Sequence, residues 1–124
     1  MSCVLVVEDD DDVREFMELL LSTSGYETMS AADGIEALEK MRQRLPCLVL
    51  LDLQMPRMDG WEFREQQLLD PRLARVPVVC ITAFMEPHVV TRRLGLRCLP
   101  KPADFPSVLN EVRAICGPTA GSSA

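Results

Sequence analysis

Apolar runs without polar alternation recur along the chain, and each ends abruptly in polar residues. Cys3 to Val7 gives way to Glu8-Asp9-Asp10-Asp11-Asp12, Leu48 to Leu51 stops at Asp52, and Val78 to Ile81 stops at Thr82-Ala83. Runs this short, punctuated by Pro46, Pro56 and Gly60, read as strands buried on both faces. Tyr26 to Ala31 is a weaker, more polar run that suits an edge strand. Arg97-Cys98-Leu99 is a very short strand leading to Pro100-Lys101-Pro102. Helical spacing fills the gaps. Val13, Phe16, Met17, Leu20 and Leu21 form one helix face, and Ser24-Gly25 supplies the stop. Ile35, Leu38 and Met41 point inward on a helix that begins after Asp33-Gly34 and ends before Pro46. Trp61 to about Leu69 is a third helix, stopped by Asp70-Pro71. Glu86 to Leu94 is a short helix weakened by β-branched residues. The last helix runs from about Phe105 to Cys116 with Phe105, Val108, Leu109, Val112 and Ile115 on one face.

This alternation predicts an α/β fold: a five-stranded parallel sheet, doubly wound as (βα)5. The flavodoxin-like strand order 2-1-3-4-5 leaves the weak second strand at an edge. A length of 124 residues and 48% hydrophobic content suit one domain, expected over 1–116, with 117–124 as a flexible tail or the start of a linker. The net charge of −6 argues against nucleic acid or a membrane as this domain's partner. No signal-peptide pattern opens the sequence and no apolar run approaches membrane-spanning length, so neither a leader nor an anchor is expected. The five cysteines are odd in number, dispersed and never in a CxxC pair. Neither a disulfide framework nor a zinc site is expected; they read as small buried hydrophobes in a reducing cytoplasm.

Right-handed crossovers bring the carboxyl ends of the strands to one edge, where α/β proteins do their chemistry. Glu8, Asp9, Asp52, Thr82 and Lys101 are thereby expected around one crevice. Clustered carboxylates repel one another unless a cation is present, and magnesium, a hard ion that takes one or two carboxylates plus a phosphate, matches best. Lys101 adds a point charge and Thr82 a hydroxyl, so that Asp52 has the surroundings of a nucleophile for a transferring phosphoryl group. The competing reading of Asp52 is a turn cap. The later aspartates of the first acidic run suit a helix N-cap and first turn. His88 reads as a surface residue, Trp61 and Phe63 as split between surface and core, and Met17 and Met41 as core fillers.

With these residues in place the chain resembles the receiver domain of two-component response regulators. The resemblance rests on Val4-Leu5-Val6-Val7-Glu8-Asp9-Asp10, on Leu50-Leu51-Asp52-Leu53-Gln54-Met55-Pro56 with Met58-Asp59-Gly60, on Val76 to Val79 with Thr82-Ala83, and on Lys101-Pro102. It implies that Asp52 accepts phosphate from a histidine kinase or phosphotransfer protein. Glu8, Asp9, Asp52 and the backbone carbonyl of Gln54 would bind Mg2+, while Thr82 and Lys101 would contact the phosphoryl group. It implies no enzyme in the ordinary sense, only self-phosphorylation from a phosphodonor and slow self-dephosphorylation, with a downstream protein partner and a cytoplasmic location.

Two positions depart from the family pattern. Cys98 stands where an aromatic residue usually precedes the lysine by three positions, and the segment from Thr82 to Lys101 is a few residues short. The usual dimer face on the fourth helix and fifth strand is therefore expected not to be used. Phe84, two residues past the switch threonine, is expected to slow phosphate hydrolysis if its ring covers the site, or else to be a packing or contact residue. A rival class is a pseudo-receiver, an interaction module with an altered or absent switch. A metal-dependent phosphatase is a third, but it would need a general acid where Gln54 stands.

Overall fold

The computed structural model describes residues 3–52, 60–82, 97–100 and 105–117. Five strands lie in one parallel sheet: β1 (Cys3–Val7), β2 (Glu27–Ala31), β3 (Leu48–Asp52), β4 (Val78–Thr82) and β5 (Arg97–Pro100), ordered β2-β1-β3-β4-β5. The α/β parallel architecture and the edge position of β2 follow the sequence pattern. β1 and β3 are buried along their whole lengths, as unbroken apolar strands must be when helices cover both faces. Their alternate side chains feed two cores. Leu5, Val7, Val49 and Leu51 face one, with Met41, Phe63 and Leu73; Val4, Val6, Leu48 and Leu50 face the other, with Leu21, Tyr26, Val108 and Val112.

The helices are α1 (Asp11–Thr23), α2 (Gly34–Gln43), α3 (Gly60–Leu69), α4 (Pro71–Ala74) and α5 (Phe105–Cys116). Asp33 caps α2 by accepting from the Glu36 amide at 2.9 Å. Asp70, expected only as a stop, also caps α4, accepting from the Arg72 amide at 3.0 Å with Pro71 in the first turn. The expected helix over 86–94 lies outside the described residues, as do Phe84 and His88.

The inward faces are turned relative to the sequence reading. Phe16 and Val13 of α1 are 61% and 45% exposed, and Leu21 alone of that helix is fully buried. Gly34, Ala37, Leu38 and Met41 form the buried stripe of α2, leaving Ile35 exposed. Ile115 of α5 is exposed as well. Ile35 follows buried Gly34 by one position, about 100° around the helix, and so faces out. Trp61 is half-buried and Phe63 fully buried, the division expected of them.

The cysteine reading needs correction. Cys47, just before β3, and Cys116, the last residue of α5, form a disulfide with Cα atoms 5.5 Å apart. Neither residue belongs to a short motif, and only the crossover geometry brings the start of β3 to the end of α5. Cys3 and Cys80 are buried thiols, as expected. Near the same end of the sheet, the Tyr26 hydroxyl donates to the Gly117 carbonyl at 2.8 Å. Gly117 has φ +81°, the left-handed conformation that ends a helix most easily at glycine, and its N–H returns to the Arg113 carbonyl.

Gln67 of α3 is completely buried, which nothing in its neighbourhood announced. Its amide donates to the carbonyls of Leu73 and Val76 at 2.9 and 3.0 Å and accepts from Arg64 at 2.8 Å. It thus ties α3 to the turn that launches β4. Burial pulls the Arg64 guanidinium below its usual range.

Candidate functional site

Strand register builds the site. Val7 pairs with Leu51, so the next residues on each strand, Glu8 and Asp52, emerge side by side at the carboxyl edge. Strand spacing of about 4.8 Å brings their carboxylates within reach of one another. Asp52 pairs with Ile81, and Thr82, the following residue of β4, pairs with Pro100. The backbone of Thr82 is therefore at this edge; its side chain, together with Lys101 and Gln54, lies outside the described residues.

Glu8, Asp9 and Asp52 each offer an oxygen, and these oxygens lie within 4.8 Å of one another. Glu8 is 7% exposed and Asp52 6%, whereas Asp9 faces solvent. Two unit charges at that separation repel by about 3 kcal/mol at an effective dielectric near 20. The cleft beside them is lined by Val13, Met17 and Ile81, which limits relief by water.

The remaining acids of the run do other work. Asp10 caps α1, accepting from the amides of Asp12 and Val13 at 2.9 and 3.1 Å, and Asp11 and Asp12 occupy the first turn near the positive end of the helix dipole. The Asp10 amide reaches back to Glu8 Oε1 at 3.4 Å. Arg14, unmarked in the sequence reading, pairs with Asp11 and donates to the Glu8 carbonyl at 2.9 Å. A basic residue one turn into a helix that follows an acidic strand end was the available signal. Its guanidinium holds the Glu8 backbone while leaving the carboxylate facing the cluster.

The donor set is all hard oxygen, with two buried carboxylates and one open to water. That combination fits Mg2+, which prefers one or two carboxylates and retains several waters, and it does not fit a thiophilic metal. Oxygens sharing one such ion at about 2.1 Å lie roughly 3 to 4 Å apart, so small side-chain rotations suffice.

A doubly wound parallel sheet with an acidic cluster at its carboxyl edge defines a flavodoxin-like α/β protein with oxygen donors gathered where such folds do their chemistry. A profile of the response regulator receiver domain matches residues 4–113. The polar-differentiation response regulator DivK of Brucella anthropi is 31% identical over 117 residues, which cover 92% of this chain and 95% of that protein. The CpxR homologue of Haemophilus influenzae, a transcriptional regulatory protein, is 34% identical over 128 residues, and the match spans 54% of its length. Among solved structures, chemotaxis protein CheY4 of Vibrio cholerae superposes with a TM-score of 0.84 at 28% identity, covering 93% of this chain and 98% of its own. The receiver domain of a Syntrophus aciditrophicus histidine kinase gives 0.83 at 27% identity, covering 99% and 93%. The chain belongs to the response regulator receiver domain family, with the CheY fold.

Proposed function

We propose that this chain is a phosphoacceptor: Asp52 takes a phosphoryl group from a phosphohistidine of a histidine kinase or phosphotransfer protein. The observation that carries this reading is the convergence of Glu8, Asp9 and Asp52 at the tip of β3, on a fold whose family signals in this way. An Asp52 oxygen attacks phosphorus as the P–N bond breaks, and the imidazole leaves with a proton. Glu8, Asp9, Asp52 and the Gln54 carbonyl hold Mg2+, which when bound offsets the charge collecting on the transferring oxygens. Lys101 supplies a second positive charge. The Thr82 hydroxyl bonds the phosphoryl group, biasing the chain after β4 between two conformations and so altering a surface for a downstream protein. The chain processes no separate substrate beyond the phosphodonor and its own slow dephosphorylation. Its place is the cytoplasm; among the described residues no helix is long and apolar enough to cross a membrane.

The test is incubation with acetyl phosphate and Mg2+, read by intact mass. A single phosphoryl adduct that is lost in Asp52→Asn and without Mg2+ supports the reading. No adduct under any condition favours the pseudo-receiver, for which Cys98 and the short segment after Thr82 speak.

A further inference from the structure

We propose that Cys47 and Cys116 are a reversible thiol–disulfide site, exchanging with a low-molecular-weight thiol of the glutathione class, whose state sets how firmly the last turn of α5 is held. The proposal rests on the phosphoacceptor reading only in its choice of a cytoplasmic, thiol-buffered setting. There, standing disulfides are rare, and those that form are chiefly transient or redox-sensing.

The two sulfurs differ from the other described thiols in access. Cys47 and Cys116 are half-buried, whereas Cys3 and Cys80 are 1% and 0% exposed. Burial also pushes the Cys3 thiol up, away from the reactive thiolate. Cα atoms 5.5 Å apart close a disulfide without backbone movement.

Opening the bond does not release the helix. Val108 and Val112 remain buried in the core, the Tyr26 hydroxyl still holds the Gly117 carbonyl, and the Cys47 amide still donates to the Cys3 carbonyl at 2.8 Å. The fold thus persists in both states, and the difference lies in how firmly the last turn of α5 is held. Reduction consumes two thiols and yields two cysteine thiols plus one small-molecule disulfide, a two-electron exchange in which the sulfurs of Cys47 and Cys116 are reduced. Oxidation is the reverse, with the glutathione-class disulfide as oxidant. Because Asp52 lies five strand residues from Cys47, about 16 Å at 3.3 Å per residue, the acidic cluster is untouched by the exchange.

The full chain is equilibrated across glutathione ratios, quenched, alkylated and mapped by mass spectrometry, with amide hydrogen exchange measured at both extremes. The expected result is one two-electron transition confined to Cys47 and Cys116, absent in Cys47→Ser, with exchange several-fold faster in the last turn of α5 when reduced. A bond that survives the most reducing buffer, one that never forms in the most oxidising, or equal exchange in α5 in both states overturns the proposal. Phosphorylation by acetyl phosphate, measured separately on both forms, tests the phosphoacceptor reading without bearing on this transition.

Discussion

The two edges of the sheet are built on opposite principles. At the carboxyl edge, Glu8, Asp9 and Asp52 are crowded by the register of β1 and β3, so that the backbone forces together charges that repel. At the amino edge, the Cys47–Cys116 bond and the Tyr26–Gly117 hydrogen bond join neutral groups that gain by meeting. The contrast separates function from stability: one edge gathers like charges through strand register, and the other ties distant segments of the fold together.

The sharpest way to break that contrast is Asp52→Asn. It should abolish phosphoryl uptake in the mass assay, yet raise the melting temperature of the metal-free protein by relieving repulsion, and shrink the further rise that Mg2+ gives the parent. Next in size is the clip. A disulfide with a sequence separation of 69 stabilises by about 4 kcal/mol in the chain-entropy view, so Cys47→Ser should lower the denaturation midpoint strongly while leaving phosphorylation intact. Gln67→Leu probes neither edge. Its lost bonds to Leu73 and Val76 should cost about 2 kcal/mol in the same denaturation experiment.

Smaller effects sharpen the comparison. Tyr26→Phe removes the hydroxyl that grips Gly117, and a loss of about 1 kcal/mol is expected, most visible in reduced protein where no covalent bond masks it. Asp10→Ala should cost about 1 kcal/mol of stability through the lost cap of α1 but leave the Mg2+ midpoint in a fluorescence titration unchanged. A Mg2+ midpoint that moved in Asp10→Ala would overturn the division of labour within the acidic run.

Much of this arrangement was legible in the chain. Strand bounds were readable at β1 and β3 because residues buried on both faces leave no polar interruption, and Glu8, Asp9 and Asp52 announced themselves as the first charges after those runs. Helix rotation was not. Phe16, Ile35 and Ile115 satisfy the periodicity as well as their buried neighbours do, and only packing against the sheet selects the stripe. The disulfide left no mark because its cysteines are far apart in sequence, and counting cysteines pointed the other way. Gln67 was invisible for a related reason: its partners are carbonyls, which every residue carries. Asp70-Pro71 holds a signal for α4, a cap followed by proline in the first turn, as well as for the end of α3.

The pairing of Val7 with Leu51 has a consequence for how such a pocket is lost over generations. A slip of β3 by one residue would turn its apolar side chains to the opposite layers and carry Asp52 about 3.3 Å along the strand axis, so the cluster and the interior fail together. Descendants of this chain can abandon the acidic pocket cheaply only by exchanging a carboxylate outright. A degenerate copy should therefore retain the sheet unaltered around a single replaced acid.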